Sequence, residues 1–142
     1  MGNIIYGVDS VKPYQLEFSV RDYECDLQGI VNNAVYQNYY EHARHQYLLG
    51  VNIDFARLHA EGIDLIVSRV EIDYKFSLRS GDKFIVTVKT HREGHLRLIF
   101  EQEIFKLPEH KPVSCARVTG VGLKKGRPIK LGSIMGFEAL ID

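Results

Sequence analysis

A short acidic segment, VRDYECDLQGIVNN, carries the residues whose types and spacing are best suited to catalysis. A carboxylate such as that of Asp26 can act as a nucleophile or as a general base for water. Asn33, seven residues later, stands where a helical pattern begins. The first turn of a helix offers unpaired backbone amides and a positive dipole end, and one donor aimed at a carbonyl oxygen is worth about 10²–10³ in rate. Because Gly29 lets the loop turn back, we expect Asp26 and the helix start to meet at one carbonyl group.

The same residues also have simpler interpretations. An Asp in a loop before a helix is more often a turn or capping residue than a catalyst, and capping alone explains the residue type of Asn33. Glu41, two turns into the predicted helix, is a second candidate acid. A structural ion pair with Arg44 or Arg21 explains Glu41 as well.

The cysteines and histidines indicate neither metal nor disulfide chemistry. Cys25 and Cys115 are far apart in the sequence and match no zinc spacing. We interpret Cys25 as a small packing residue and expect a reducing, cytoplasmic location. His42 and His45 lie three apart on the predicted helix but lack the His-Glu-x-x-His pattern of zinc-binding helices. We therefore expect no metal ion and no redox cofactor.

Composition narrows the class of protein further. The 142 residues, of which 45% are apolar and 25% charged, predict one globular domain over 1–142. The formal net charge is zero, so no overall field favours nucleic acid or an anionic membrane surface. No stretch reaches the ~18 apolar residues of a membrane span. The first ten residues lack the charged start and apolar run of a secretory signal.

Periodicity predicts the elements on either side of the acidic segment. Residues 14–21 alternate between apolar and polar side chains, which indicates a half-buried strand. The clearest helix runs from about Asn33 to Leu49, with Asn32 or Asn33 as its N-cap and Gly50 as a left-handed C-terminal cap. Its apolar face repeats every three or four residues and consists of Tyr36, Tyr39, Tyr40, Ala43 and Tyr47.

After a short helix near Asp54–Ala60 that Gly62 stops, the period changes to that of strands. Four alternating segments separated by turns predict an antiparallel meander: Ile66–Phe76, Phe84–Val88, Leu96–Phe105 and Val113–Leu123. The first of these has one apolar face, from Ile66 through Val70 and Tyr74 to Phe76. One helix covers such a sheet only if the sheet curls around it. The expected fold is therefore α+β, with about five antiparallel strands curled around one long central helix.

The residues from Arg21 to Arg44, written R-x-x-E-x-D-x-x-G-I-V-N-N-x-x-Y-x-x-Y-x-E-x-A-R, resemble the 4-hydroxybenzoyl-CoA thioesterase family of hotdog-fold proteins. The order of predicted elements agrees with that family up to about Leu131. The resemblance implies the hotdog fold and hydrolysis of an acyl-CoA to free acid and CoA. It also implies a homodimer or homotetramer with active sites at the subunit interface.

Carried over by position, Asp26 matches the family's catalytic aspartate, and Asn33 falls where a helix-start amide polarises the thioester carbonyl. Two positions depart from the family's pattern. Glu24 replaces the first Asp of the usual Asp-x-Asp, and the pair Asn32-Asn33 stands where several bacterial members have an aromatic residue or a histidine. The Asn-Asn form looks more like the long-chain acyl thioesterase branch.

Further residues are candidates for holding the substrate. Gly29 and Tyr36 lie close to the predicted site, where Tyr36 would line an acyl pocket. Basic residues grip phosphates by charge-assisted hydrogen bonds, which makes Lys89 and Arg92 candidates for the CoA phosphates. His91 and Arg97, and the basic turn Lys124, Lys125 and Arg127, are further candidates. A solvated strand face explains each of these cations equally well.

Three alternatives to acyl-CoA hydrolysis stay open. A hotdog dehydratase or hydratase usually pairs its acid with a catalytic histidine, and neither the loop nor the first helical turn contains one. Hydrolysis of an acyl group carried by acyl-carrier protein needs the same chemistry. A non-enzymatic acyl-CoA binding module would need only the pocket.

Overall fold

The computed structural model describes residues 13–134 and 136–137. The expectation of no secretory signal concerns the first ten residues and lies outside this described part. The elements, in chain order, are β1 (Tyr14–Ser19), a 3₁₀ turn (Asp22–Glu24), α1 (Asn33–Gly50), α2 (Phe55–Ala60), β2 (Ile63–Tyr74), β3 (Lys83–Glu93), β4 (Arg97–Lys106), β5 (Lys111–Lys124), β6 (Arg127–Pro128) and a 3₁₀ turn (Leu131–Ser133).

The five long strands form one antiparallel sheet in the order β1-β3-β4-β5-β2, and β6 pairs with β5. The register sets Phe18 of β1 opposite Phe84 of β3, and Ile72 of β2 opposite Ala116 of β5. The inner face of the sheet curls around α1, and the hydroxyl of Tyr40 donates a buried hydrogen bond of 2.8 Å to Oγ of Ser114. The predicted α+β architecture is confirmed.

The core lies between α1 and the inner face of the sheet. Tyr36, Tyr39, Tyr40 and Ala43 are buried and Tyr47 is half-buried, which confirms the helical face that the spacing predicts. They pack against apolar side chains from the strands, among them Phe84, Val86, Leu98, Phe100, Ile104 and Val118. Because the two ends of α1 are anchored on different strand ends, the helix start and the helix end face opposite rims of the sheet.

Strand β2 is where the sequence prediction was wrong. It begins at Ile63 and ends at Tyr74, and the face predicted to be apolar and covered stays open: Ile66, Val70 and Tyr74 are 42%, 39% and 46% exposed. The physical reason is that β2 is an edge strand, which α1 does not cover. A bulge between Val67 and Arg69 also interrupts the alternation.

The helix ends agree with the prediction except at one residue. Asn32 is the N-cap of α1, and its Oδ1 accepts the amide of Ala34 at 2.9 Å. Gly50 is not a left-handed cap, because the helix includes it; Val51 is the C-cap and Asn52 takes the positive φ of 66°. Gly62, with φ of 80°, does stop α2 as predicted.

Candidate active site

The acidic segment folds into a tight hairpin that leads into α1. The amide of Asp26 donates to the carbonyl of Ile30 at 2.8 Å, and the amide of Gly29 donates to the carbonyl of Asp26 at 3.0 Å. Gly29 has φ of 79°, so the turn needs a residue that tolerates the left-handed region. The arms stay paired as far as the amide of Asn32, which donates to the carbonyl of Glu24 at 3.0 Å.

The carboxylate of Asp26 takes part in this turn and also faces outward. Its Oδ1 accepts the amide of Gln28 at 2.8 Å, which is the capping role weighed against catalysis. The residue is exposed. A carboxylate has about four acceptor sites on its two oxygens. One local hydrogen bond therefore leaves most of the group available to water or a ligand.

The start of α1 offers a backbone donor beside this turn. Asn32 caps the helix, so the side chain of Asn33 is not needed as a cap. Within the part of the chain that the structure describes, the amide of Asn33 donates no hydrogen bond, while its carbonyl accepts the hydroxyl of Tyr74 at 3.2 Å. The first amide of the helix is thus available at its positive end.

Aromatic side chains pack beneath the helix start. Tyr36 is buried, its hydroxyl accepts the amide of Leu78 at 3.1 Å, and burial raises its pKa. Its ring meets that of Tyr74 edge-on, with 5.3 Å between ring centres. Tyr36 therefore supports the site from below, and Tyr74, which the sequence analysis did not single out, is the tyrosine open to a ligand.

The other two acids of the segment hold the loop in place. Oε1 of Glu24 accepts the amide of Arg21 and the hydroxyl of Tyr39, both at 2.8 Å. Burial, together with the hydrogen bond to Glu24, raises the pKa of Tyr39. Asp22 accepts the hydroxyl of Ser80. Both acids are therefore paired within the structure of the loop.

Glu41 does not form either of the ion pairs predicted for it. Its carboxylate lies 3.8 Å from Nε2 of His45, one helical turn away. Burial lowers the pKa of His45, so this contact is not an ion pair at neutral pH. Arg44 points into the core toward Gln102, and Arg21 bonds to the hydroxyl of Tyr23. Glu41 stays exposed on the helix.

The cations proposed for phosphate binding lie at the far end of the molecule from Asp26. Lys89 and Arg92 belong to the stretch of β3 beside the end of α1, where the hydroxyls of Tyr47 and Thr90 are 3.1 Å apart. The 18 residues of α1 separate the two ends by about 27 Å. The basic turn after β5 lies at that same end, because Lys124 pairs with Ile63. One chain does not bring these cations to Asp26.

Arg79 is a cation that the sequence analysis missed. It forms a β-bridge with Ile30, and a Cβ atom at Gly29 would lie 3.9 Å from its Nη1. The guanidinium therefore lies beside the turn that carries Asp26. Local sequence pattern held no signal for it, because only the long-range bridge brings residue 79 to the hairpin.

Cys25 and Cys115 are free thiols, half-buried and buried respectively, and Cys25 packs against the core as expected. Among the described residues, no group of three or more His, Cys, Asp or Glu side chains is placed to hold a metal ion. In the same part of the chain, no helix is long and apolar enough to cross a bilayer.

A curled sheet around one long helix, with an exposed carboxylate turn leading into an open helix start, defines a hotdog-fold protein of the thioesterase type. The chain belongs to the Thioesterase-like superfamily, whose family model matches residues 20–129. The fold resembles that of Slr0204, a 1,4-dihydroxy-2-naphthoyl-CoA thioesterase from Synechocystis, with a TM-score of 0.84 over 91% of this chain and 95% of that one. At 15% identity, that likeness concerns the fold alone.

Two relatives that are closer in sequence are named with different thiol carriers. The chain is 39% identical over 121 residues to the acyl-acyl carrier protein thioesterase ATL3, chloroplastic, of Arabidopsis thaliana. That match covers 84% of this chain and 64% of the relative, so the chain spans less than two thirds of the relative's length. A thioesterase from Thermus thermophilus, solved with coenzyme A and Zn, is 27% identical, with a TM-score of 0.74 over 89% of this chain and 94% of that one.

Proposed function

We propose that the chain hydrolyses an acyl thioester, acyl-CoA, to a free acid and a thiol. Asp26 acts as nucleophile or general base, and the amide of Asn33 polarises the thioester carbonyl. The observation that carries the proposal is one hairpin. Its turn holds an exposed carboxylate, and its second arm leads to a helix-start amide that donates no hydrogen bond within the described chain. The motif from Arg21 to Arg44 supports placing the chain near the 4-hydroxybenzoyl-CoA thioesterases within the superfamily.

Asp26 can bring about hydrolysis of the thioester to a free acid and a thiol by either of two routes. As nucleophile, a carboxylate oxygen of Asp26 adds to the carbonyl carbon, the carbon–sulfur bond breaks, and the thiolate leaves a mixed anhydride that water hydrolyses. As base, Asp26 takes a proton from the water that adds to the same carbon; the carbon–sulfur bond then breaks, and the proton passes to the leaving thiolate. In both routes negative charge develops on the carbonyl oxygen, where the amide of Asn33 and the helix dipole stabilise it. Gly29 and Tyr36 keep the turn and the helix start in place.

Acyl-carrier protein is the second candidate carrier. The Arabidopsis relative at 39% identity is named as acting on acyl-acyl carrier protein, whereas the Thermus structure contains coenzyme A. Comparing kcat/KM for the same acyl group on each carrier decides between them. The free thiols support a reducing compartment, for which we propose the cytoplasm, and we propose a single domain over 1–142.

We further propose a homodimer formed along β2, as its unpaired edge and exposed Ile66, Val70 and Tyr74 suggest. In a twofold antiparallel pairing, the start of one β2 meets the end of the other. Each Asn33 would then lie near the partner's basic turn, because Tyr74 contacts Asn33 and Lys124 pairs with Ile63. The phosphates of the carrier would be held from the partner subunit. A homotetramer would pair two such dimers.

The direct test of the proposal is Asp26→Asn. Asn keeps an oxygen that accepts the amide of Gln28, so the turn and fold should persist while the nucleophile or base is lost. We expect the kcat for release of CoA from a panel of acyl-CoAs to fall by at least about 10²-fold. A matched control is Asp54→Asn, since Asp54 accepts the amide of Ala56 in the same way at the start of α2.

Two outcomes would contradict the proposal in different ways. Unchanged turnover in Asp26→Asn would move the chemistry to Glu41 or elsewhere. Equal acyl-CoA binding by both forms, with turnover by neither, would indicate a non-enzymatic binding module.

A further inference from the structure

Arg44 is buried without an anionic partner. At 8% exposed, it is the one charged side chain that is buried among the residues described. Its Nη1 donates to Oε1 of Gln102 at 3.1 Å, and its guanidinium lies 5.7 Å from the ring centre of Phe100. No carboxylate of the described chain lies within 4 Å of it. A buried cation is costly unless it is paired, so the surroundings of Arg44 are incomplete as they stand.

The guanidinium faces a cavity of about 210 Å³. The walls are apolar on the side of Leu48, Phe55, Leu65 and Phe100 and polar on the side of Arg44. A guanidinium has five N–H donors, and every fully enclosed side-chain N or O atom in the described chain has a partner. The donors of Arg44 that Gln102 does not use therefore open onto the cavity. An apolar cavity of about 150 Å³ already holds a benzene ring, so this one has room for the end of a chain.

Glu41 and His45 also line this cavity. The carboxylate of Glu41 is exposed and acts on Arg44 from a distance, where it offsets part of the positive charge. A neutral oxygen that accepts hydrogen bonds from the remaining donors of Arg44 is therefore sufficient, and a second carboxylate is not required.

The face of β2 that lies beside α1 runs from the candidate active site to this cavity. At one end Tyr74 contacts Asn33, and at the other end Val67 lines the cavity. Between them the inner face of β2 is apolar, with Val70 exposed in it. Arg44 is eleven residues from Asn33, which is about 16 Å along the helix, and an extended chain advances about 1.2 Å per bond. A chain of about twelve carbons with a terminal oxygen extends about 14 Å, and a hydrogen bond of about 3 Å from that oxygen to Arg44 covers the remainder.

We propose that this cavity binds the far end of an acyl chain of about twelve carbons, and that Arg44 selects chains with a hydrogen-bond-accepting oxygen at that end. The placing of the other end rests on the proposed thioester hydrolysis at Asp26. A terminal methyl group would displace water from Arg44 and leave its donors unpaired, whereas a hydroxyl or carboxylate oxygen accepts from them. Gly120 keeps the wall open, since a Cβ there would lie 3.4 Å from Cδ1 of Leu65.

Three thioesters test the proposal: dodecanoyl-CoA, 12-hydroxydodecanoyl-CoA and the CoA monoester of dodecanedioic acid. We expect kcat/KM for at least one of the oxygenated chains to exceed that for dodecanoyl-CoA by about 10-fold or more. Comparing the hydroxyl and the carboxylate substrates shows which kind of oxygen accepts from Arg44. Binding of the three free acids, measured by calorimetry, gives a second readout that does not depend on turnover.

Gln102→Glu supplies Arg44 with an internal carboxylate in place of the amide oxygen 3.1 Å away. We expect this variant to lose the preference for an oxygenated end, so that the ratio of kcat/KM between the oxygenated chains and dodecanoyl-CoA falls to about one. Gln15→Glu, on the exposed face of β1, is the matched control. The wild-type comparison stands even where Gln102→Glu fails to fold.

The outcomes separate this inference from the proposed function. Equal kcat/KM and equal binding for all three chains would overturn the inference and leave a water-filled structural cavity, with the hydrolysis intact. Preferential binding of an oxygenated acid without hydrolysis of any thioester would support the cavity and overturn the proposed function. Neither binding preference nor hydrolysis would overturn both.

Discussion

At the scale of single residues, the turn role of Asp26 leaves room for the catalytic role that we propose for it. Its Oδ1 accepts the amide of Gln28, and the remainder of the carboxylate is open to a ligand. The turn fixes the direction of the side chain at the cost of one acceptor site. Because the amide of Gln28 orients the carboxylate, the proposed catalytic role needs no additional residue to hold it.

Glu24 and Tyr39 provide a residue-scale prediction about stability. The hydroxyl of Tyr39 donates to Glu24 at 2.8 Å in a partly buried site and ties the acidic loop to the middle of α1. Because hydrogen bonds to charged groups contribute more than neutral ones, we expect Tyr39→Phe to lower the free energy of unfolding by about 1–2 kcal/mol. Urea denaturation followed by circular dichroism measures this.

Tyr23→Phe is the matched control for that experiment. Tyr23 is 76% exposed and its hydroxyl accepts from Arg21 on the surface, so its loss should change the free energy of unfolding by less than about 0.5 kcal/mol. Equal stability of the two variants would show that the Glu24–Tyr39 hydrogen bond does not hold the loop.

At the scale of elements, the helix was predictable and the edge strand was not. The spacing of Tyr36, Tyr40 and Ala43 specifies one face of α1 by itself, since a helix has a single period. Alternation in β2 identifies a strand but not what covers it, and Val70 is left exposed because the neighbour on that side is missing from the chain. Burial of a strand is a property of its neighbours, which local sequence does not encode.

The residues of the candidate site also differ in whether local sequence could predict their positions. That Asp26 and Asn33 belong to one hairpin and the helix start after it could be predicted from the sequence, because a short continuous segment contains both; that they act on one carbonyl stays a prediction. The position of Arg79 could not be predicted, because a long-range bridge brings it to Ile30. Nor could the distance of Lys89 from the hairpin be predicted, since it depends on which rim of the sheet each turn occupies.

The hairpin turn gives an element-scale prediction. Gly29 has φ of 79°, a conformation that costs an L-residue roughly 1–2 kcal/mol. We expect Gly29→Ala to lower the free energy of unfolding by about that amount, and to lower kcat as well because the turn aims Asp26. Urea titration and the release of CoA from acyl-CoA measure the two effects.

Gly50→Ala is the control of opposite sign. Gly50 is helical, and a Cβ there meets nothing within 4 Å, so Ala should raise the free energy of unfolding by about 0.5–1 kcal/mol. Gly29→Ala with full stability and full activity would show that the turn is not under the constraint described here.

At the scale of the whole molecule, one chain separates the groups to which we assign catalysis and phosphate binding. The carboxylate and the helix start lie at one end, while the basic turn after β5 lies at the other, about 27 Å away along α1. In the proposed pairing of two copies through β2, the end of one subunit that carries Asp26 lies beside the end of the other that carries the basic turn. Neighbouring strands lie about 4.8 Å apart, so the turn carrying Lys124 and Arg127, one strand from β2, comes closer to the partner's site than Lys89 and Arg92, three strands away.

This arrangement predicts that two impaired variants restore activity when they form a mixed dimer. Lys124→Glu with Arg127→Glu should lower kcat/KM for acyl-CoA by at least about 10-fold at low ionic strength, through repulsion of the phosphates. When this variant and Asp26→Asn are combined in equal amounts, dissociated and reassembled, half of the dimers contain one subunit of each and are mixed dimers. Each mixed dimer holds one site with both an intact Asp26 and an intact basic turn, so about 25% of wild-type activity should return.

Three measurements make that experiment decisive. Sedimentation must show a dimer, and Val70→Lys on the exposed face of β2 should turn it into a monomer with little activity, because the edge would no longer pair. Lys89→Glu with Arg92→Glu is the matched charge reversal, and its smaller effect on kcat/KM follows from its distance from β2. No recovery of activity in the mixture would place phosphate binding within one chain, and Arg79, beside Gly29, would then be the cation to test.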